Sequence, residues 1–381
     1  MKVLIISIWE ISEDCIGGTE RYVIDLAESL KKEGVEVEVL MLSGKPKEIS
    51  GVKYISINAS GVKVNEYIIK NKFFPEFTKK NLLKFAKFIE KHVDVQKYDI
   101  IHLNSLLMYY LFTSKNRIFT LHENPFEFDH NWGKGSLAKM QKIIISEKNN
   151  RHNFIVPSQG YGEEFGRLFS TRVRVIPHCI KNDRLKCSLT KSEVLKKYHL
   201  DRKLTFLVPS RLEIVQKGQD IAAKALGLVK NKIPEFQVIF SGLDNQYIEN
   251  SNIIKGICNQ YNIVCHFIKF YDIKEAYRIA DIVIIPSRSE SFGYSALESL
   301  SLGKKTVLSN IPTFLDFAKL TRLAFVSDLK SESFANMIAG AVESKNISRS
   351  KIWLKKYDPK IWADKYIKFY EEVLHKQPKR I

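Results

Sequence analysis

Glu290 and Glu298 stand eight residues apart in the segment Pro286-Ser287-Arg288-Ser289-Glu290-Ser291-Phe292-Gly293-Tyr294-Ser295-Ala296-Leu297-Glu298. A carboxylate accepts two hydrogen bonds at once, so either glutamate is suited to a vicinal diol. The segment follows the apolar run Ile282-Val283-Ile284-Ile285 and enters a stretch with helical spacing. A helix starting there leaves the backbone N–H groups of Phe292, Gly293 and Tyr294 without intrahelical partners, and such donors attract an anion. Gly293 has no Cβ and lets that anion come close. Taken singly, Glu290 reads as a helix cap and Glu298 as a solvated helix residue. Apolar strand, Pro-Ser, Glu, Phe-Gly and a second Glu in one segment favour a binding site instead.

A frame of alternating strands and helices must position these groups. Val3-Leu4-Ile5-Ile6-Ser7-Ile8 is a continuous apolar run, as in a parallel strand covered on both faces. Gly17-Gly18 follows, then Val23, Leu26, Ala27 and Leu30 at helical spacing, then the strand Val35–Leu40. That βαβ unit sets the class as α/β. Short buried strands are expected at Ile100–Leu103, Ile118–Leu121, Phe154–Val156 and Val173–Ile176. Lys181–Lys203 is polar and Lys-rich, a linker zone holding a short helix. A second series runs through Leu204–Val208, Phe236–Phe240, Val264–Ile268, Ile282–Ile285 and Thr306–Leu308. Two series of similar size predict two Rossmann-like, doubly wound domains, 1–182 and 183–359, facing each other across an interdomain cleft. A last helix, about 360–381, is expected to pack back on the first domain. In such sheets ligands bind beyond the carboxyl ends of the strands.

Composition narrows the partners. The 381 residues amount to about two domains at roughly 150 residues each. At 45% hydrophobic the chain is too apolar to be disordered. Lys and Arg total 60 against 42 Asp and Glu, a net charge of +18. This excess favours anionic partners or merely solubilises the surface. Five cysteines, Cys15, Cys179, Cys187, Cys258 and Cys265, make no CxxC pair and read as reduced thiols of a cytosolic protein. No apolar run reaches the roughly 18 residues of a membrane span. Lysines from Gly61 to Lys91 alternate with Phe73, Phe74, Phe77, Leu82, Leu83, Phe85 and Phe88. That stretch is either a core-packing helix with a lysine-coated face or a patch that meets an anionic membrane or acceptor. Single-stranded nucleic acid also suits such a composition, but nothing else supports it.

The Glu290–Glu298 segment resembles the Glu-x7-Glu motif of retaining glycosyltransferases of GT-B architecture, most closely family GT4. Other stretches match in order. Gly17-Gly18 resembles the family's glycine loop, and His122 in Thr120-Leu121-His122-Glu123 its sugar-site histidine. Val156-Pro157-Ser158 and Val175-Ile176-Pro177-His178-Cys179-Ile180 resemble the end of its first domain, with Pro-His-Cys where Pro-Asn-Gly is commoner. Arg211 and Lys217-Gly218 resemble its diphosphate-binding pair. The resemblance spans residues 1 to about 375.

It implies transfer of a sugar from a nucleotide-diphosphate donor to an acceptor hydroxyl, with retention, in synthesis of a cell-surface polysaccharide, glycolipid or glycopolymer. Arg211 and Lys217 would neutralise the leaving diphosphate, where negative charge grows as the glycosidic bond breaks. Glu290, with Ser291 and the Phe292–Tyr294 amides, would hold the donor sugar, and Glu298 the ribose. His122 and the Gly17-Gly18 loop would complete the site, while His102 and His178 read as structural. No Asp-x-Asp occurs, so no obvious carboxylate pair awaits a divalent ion, and no cofactor or metal is expected. The expected donor is a UDP-sugar, with a GDP-sugar second; the expected acceptor is anionic or lipid-linked. The expected location is the cytoplasm, with peripheral contact to the membrane's inner face left open. Two alternatives stand: another GT-B enzyme, such as an epimerase or phosphorylase, and a basic binding protein without catalysis.

Overall fold

The computed structural model describes residues 1–12, 17–60, 64, 78–123, 128–129, 133–147, 153–269, 273–345 and 351–375. Phe73, Phe74 and Phe77 lie outside them. The chain divides into two compact units, Met1–Cys179 with Lys356–Ile381, and Ile180–Lys355. The first division falls slightly ahead of the boundary expected at 182.

The first unit is built on β1 (Lys2–Ser7), β2 (Glu36–Met41), β3 (Lys47–Ile49), β4 (Val52–Ser56), β5 (Ile100–Leu103), β6 (Arg117–Thr120), β7 (Phe154–Val156) and β8 (Arg174–Val175). They form one sheet in the order β3-β4-β2-β1-β5-β6-β7-β8. Every pairing is parallel except β3 with β4. Among the described residues before Cys179 the α-helices are α1 (Gly18–Lys32), α2 (Lys79–Glu90), α3 (Ser136–Ser146) and α4 (Gln159–Phe169). Apolar cores lie on both faces of the sheet, which is why β1 reads as an unbroken apolar run. Leu4 and Ile6 point to one core and Val3 and Ile5 to the other, the two-residue period of a strand.

The α2 helix is capped by Thr78, whose side chain accepts from the Asn81 amide. Its Leu82, Phe85, Ala86 and Ile89 are buried, while Lys79, Lys80, Lys84 and Lys87 are exposed. Core packing and a charged outer face thus coexist on this helix.

The second unit has β9 (Leu204–Pro209), β10 (Phe236–Leu243), β11 (Cys265–Lys269), β12 (Ile282–Ile285), β13 (Lys305–Ser309) and β14 (Ala324–Ser327), all parallel, in the order β11-β10-β9-β12-β13-β14. Its helices are α5 (Lys191–Lys197), α6 (Ile214–Lys217), α7 (Gln219–Val229), α8 (Ile248–Gln260), α9 (Ile273–Ile279), α10 (Tyr294–Ser301), α11 (Pro312–Ala318) and α12 (Ser331–Glu343). Thr190 and Glu193 form a reciprocal capping box that starts α5 inside the Lys-rich zone. Strand order reverses between β9 and β12, so the crevice beyond the carboxyl ends of these two neighbours is the expected ligand position.

The last helix, α13 (Pro359–His375), belongs to the first unit. It buries Trp362, Tyr366 and Tyr370 completely, in the same core as Tyr22, Leu26 and Leu30 of α1. The sequence reading missed β3, β4 and β14. The first two are short, three and five residues, with buried positions alternating with exposed or half-buried ones.

Candidate active site

In the second unit, β9 and β12 deliver two loops to the switch point. The first, 210–218, carries Arg211 and Lys217; the second, 286–293, carries Glu290. These loops touch backbone to backbone. Gly218 has φ +66°, and a Cβ there would lie 2.1 Å from the Pro286 carbonyl oxygen. Only glycine fits that approach. Lys217 closes the single turn of α6, and its Nζ donates to Glu290 Oε1 at 2.9 Å. Ser287 Oγ donates to the same oxygen at 2.9 Å. Thr313 Oγ1 donates to the Glu290 carbonyl at 2.7 Å, fixing the loop. The two charged side chains are only 12% and 16% exposed, so the pair is largely withdrawn from water and each charge depends on the other.

Arg211 is placed differently. Its guanidinium is 40% exposed and lies 3.8 Å from Glu213. Its backbone is pinned by Gln219, whose Nε2 donates to Ser210 Oγ at 2.9 Å and to the Arg211 carbonyl at 2.7 Å. Gln219 is fully buried, and its Oε1 has no hydrogen-bond partner among the described residues.

Helix α10 begins where the sequence places it. Gly293 is its N-cap, with φ +82° and no side-chain cap bond. A Cβ at Gly293 would meet the Phe314 ring at 2.5 Å. Phe292 is buried, with its ring edge-on to Tyr294 at 5.1 Å and to Phe317 at 5.9 Å. Its side chain is therefore part of the core. Ser291 is half-buried. Glu298 is buried and turned to α9, where Tyr277 Oη donates to its Oε2 at 3.1 Å. Lys217 and Glu290 are thus joined directly, whereas Arg211 and Glu298 each hold a separate partner.

In the first unit, Gly17 is the N-cap of α1 and Gly18 its first residue. His122 follows β6. Its ring lies 4.5 Å from that of Tyr22 and 5.3 Å from that of His178, centroid to centroid. Its buried Nε2 has no hydrogen-bond partner among the described residues. Burial depresses the His122 pKa to about 3, so the imidazole is neutral at physiological pH and can donate or accept. Beneath it, His102 Nδ1 lies 2.7 Å from Tyr370 Oη and its Nε2 2.8 Å from Thr120 Oγ1. Tyr22 Oη is 2.9 Å from Thr120 Oγ1 and 3.0 Å from Tyr366 Oη. This buried network ties α1, the sheet and α13 together. Burial lowers the pKa of His102 to about 3 and that of His178 well below the usual range. Next to His122, burial raises the Glu123 carboxyl to about 7, opposed by hydrogen bonds from Ser105 and nearby backbone amides.

Sequence reasoning missed Tyr22, Glu123, Gln219 and Tyr277. Tyr22 was hidden among core-spaced residues of α1, and Tyr277 acts from a separate helix that no local motif marks. Glu123 offered one signal, its place directly after His122.

The family model for Glycosyltransferase Family 4 matches residues 16–184, and that for Glycosyl transferases group 1 matches residues 191–357. The chain belongs to the GT4-type glycosyltransferases of GT-B architecture and is a transferase enzyme. It is 24% identical over 341 residues to an uncharacterized glycosyltransferase of Methanocaldococcus jannaschii, covering 84% of this chain and 83% of that one. It is 32% identical over 112 residues to the O-antigen biosynthesis glycosyltransferase WclY of Escherichia coli, covering 29% of this chain and 31% of WclY. Among solved structures, HepE of Anabaena in complex with UDP and glucose superposes with a TM-score of 0.74 at 16% identity, covering 98% of this chain and 100% of that one. Sucrose-phosphate synthase from Thermosynechococcus elongatus gives 0.76 at 17% identity, covering 99% and 100%. At such identities the likeness speaks for the fold.

Proposed function

We propose that this chain transfers a sugar, with retention and without a metal ion, from a nucleotide-diphosphate donor to an acceptor hydroxyl in cell-surface polysaccharide or lipopolysaccharide-type synthesis. The observation that carries this reading is the Lys217–Glu290 ion pair at the strand-order switch of the second unit. A desolvated ammonium there meets the charge that grows on a departing diphosphate, where an electrostatic contact is worth most. Arg211, exposed on the same loop, swings to the second phosphate and supplies a fork. Glu290 has one oxygen held by Lys217 and Ser287; its other oxygen accepts from a donor-sugar hydroxyl. Gly293 and Tyr294, with Ser291, border the sugar, and Glu298 accepts from the ribose by displacing the Tyr277 bond. His122, neutral, orients a sugar hydroxyl.

The bond from C1 of the sugar to the diphosphate oxygen breaks, and its electron pair leaves with that oxygen. The acceptor oxygen bonds to C1 on the same face, and its proton passes to the departing phosphate. Metal independence is argued from the cations at Arg211 and Lys217 and from a sequence without Asp-x-Asp. The donor is a UDP-sugar, with GDP-sugars second. UDP in the HepE structure supports this choice, and the similarity to the O-antigen biosynthesis glycosyltransferase WclY supports a cell-surface product. The acceptor is anionic or lipid-linked. The exposed Lys79, Lys80, Lys84 and Lys87 of α2 support it and would also meet an anionic membrane surface.

The test is a panel of nucleotide-sugars screened by thermal stabilisation, because a ligand that binds only the folded state raises its melting temperature. A UDP- or GDP-sugar that stabilises the protein, with EDTA present, is the expected result. No stabilisation by any member would overturn the proposal.

A further inference from the structure

We propose that Arg288 is a positioning residue of the donor site, locking the Lys217 turn to the Glu290 loop through Asp220 and the backbone of α6. The proposal rests on the donor-site reading above.

Arg288 stands two residues before Glu290 and reaches the other loop with four hydrogen bonds. Its backbone N–H donates to the Gln216 carbonyl at 2.7 Å. Its Nη1 donates to the Ile214 carbonyl at 2.7 Å and to Asp220 Oδ1 at 3.1 Å. Its Nη2 donates to Asp220 Oδ2 at 2.9 Å. The grips fall on both sides of Lys217 and Gly218: Ile214 and Gln216 before them, Asp220 after them in the first turn of α7. A helix of four residues cannot hold itself in water, so something outside α6 must fix the direction in which Lys217 points. Arg288 does so from the strand loop that carries Glu290.

An exposed Arg–Asp pair contributes little to global stability. Arg288 and Asp220 are 38% and 19% exposed in their side chains, so holding the fold together does not explain the arrangement. Its geometry does. A bidentate fork fixes orientation as well as distance, and a lysine offers no fork. Without the lock, Lys217 keeps its charge but loses its aim at the diphosphate.

Calorimetric titration with UDP and with uridine tests this on wild type, Arg288→Ala, Arg288→Lys and Lys217→Ala. Arg288→Ala should weaken UDP by about tenfold, the equivalent of one charge-assisted hydrogen bond, and leave uridine unchanged. Arg288→Lys should restore only part of the loss. Equal losses for UDP and uridine would mean a merely structural role and would overturn the proposal. UDP weakened by Lys217→Ala but untouched by Arg288→Ala would also overturn it, while leaving the donor site standing. UDP untouched by both variants would remove the donor-site reading itself. If wild type takes GDP instead, GDP and guanosine replace the pair. Amide exchange needs no ligand at all: the Lys217 and Gly218 N–H groups bond to the Glu213 and Ile214 carbonyls at 2.8 and 2.9 Å. Arg288→Ala should speed their exchange at least tenfold with β9 and β12 unchanged, and unaltered exchange there would overturn the lock whatever the nucleotide.

Discussion

Lys217 has two possible duties, and a paired substitution separates them. It could neutralise Glu290, or it could stabilise charge on a departing diphosphate. Lys217→Met removes the ammonium and leaves a carboxylate that is 16% exposed with Ser287 as its remaining side-chain donor. Breaking a fully buried pair costs about 3–5 kcal/mol. Residual exposure and the Ser287 bond should reduce this to about 1–2 kcal/mol of folding stability. Losing a donor aimed at transition-state charge costs more in catalysis, about 2.7–4 kcal/mol or a hundred- to a thousandfold in turnover. Lys217→Met with Glu290→Gln removes both charges and should recover the melting temperature. If Lys217 serves the diphosphate, turnover of the double variant should stay at least a hundredfold below that of Glu290→Gln alone, which sets the reference because Glu290 itself holds the donor sugar. The assay is release of nucleoside diphosphate at saturating donor, beside a melting curve for each variant. Equal turnover for the double variant and for Glu290→Gln alone would refute the reasoning, because neutralising Glu290 would then be the lysine's whole contribution.

Other outcomes follow from the same structure. Turnover should persist in EDTA; loss restored by magnesium or manganese would contradict metal independence. Glu123 holds its proton to about pH 7 in the folded protein but only to about 4.5 when unfolded, so it stabilises the fold at low pH and this contribution fades as pH rises towards 7. Glu123→Gln should therefore melt higher than wild type at pH 8 by up to about 3 kcal/mol of stability and gain little at pH 4.5, and a pH-independent difference would contradict the burial argument. The neutral imidazoles of His102, His122 and His178 act in the opposite sense, costing stability as pH falls below about 6.5, so the comparison must be against wild type at each pH. Trp362→Ala should cost about 3–5 kcal/mol, since the side chain is wholly buried between α13 and α1, and a denaturant melt within 1 kcal/mol of wild type would show that α13 does not brace the first unit. Neutralising Lys79, Lys80, Lys84 and Lys87 together should weaken binding to anionic vesicles or acceptor use at low salt without changing donor affinity; equal behaviour would leave these lysines as solvation only.

The strands on which the site depends were legible because parallel strands covered on both faces are apolar along most of their length, as β1, β9 and β12 are. The short strands β3 and β4 were not, since three and five residues of alternating burial resemble a loop. Lys217 and Glu290 were readable singly, each from a short motif after a strand. Their 2.9 Å pairing was not, because it depends on two loops 73 residues apart meeting at Gly218 and Pro286. At Phe292 only the backbone amide was expected at the ligand; the fate of its ring, packed against Phe317 in the core, depends on a helix distant in sequence. Tyr22 and Tyr366 escaped because 344 residues separate the two hydroxyls that meet.

The central claim is retaining transfer from a nucleotide-sugar, and the anomeric proton of the product reports it directly. With the donor that gives the largest thermal shift and an anionic or lipid-linked acceptor, proton NMR during turnover should show a new glycoside whose anomeric coupling matches that of the donor sugar, with one equivalent of nucleoside diphosphate released. A product of inverted configuration, or free sugar released equally with and without acceptor, would contradict the account.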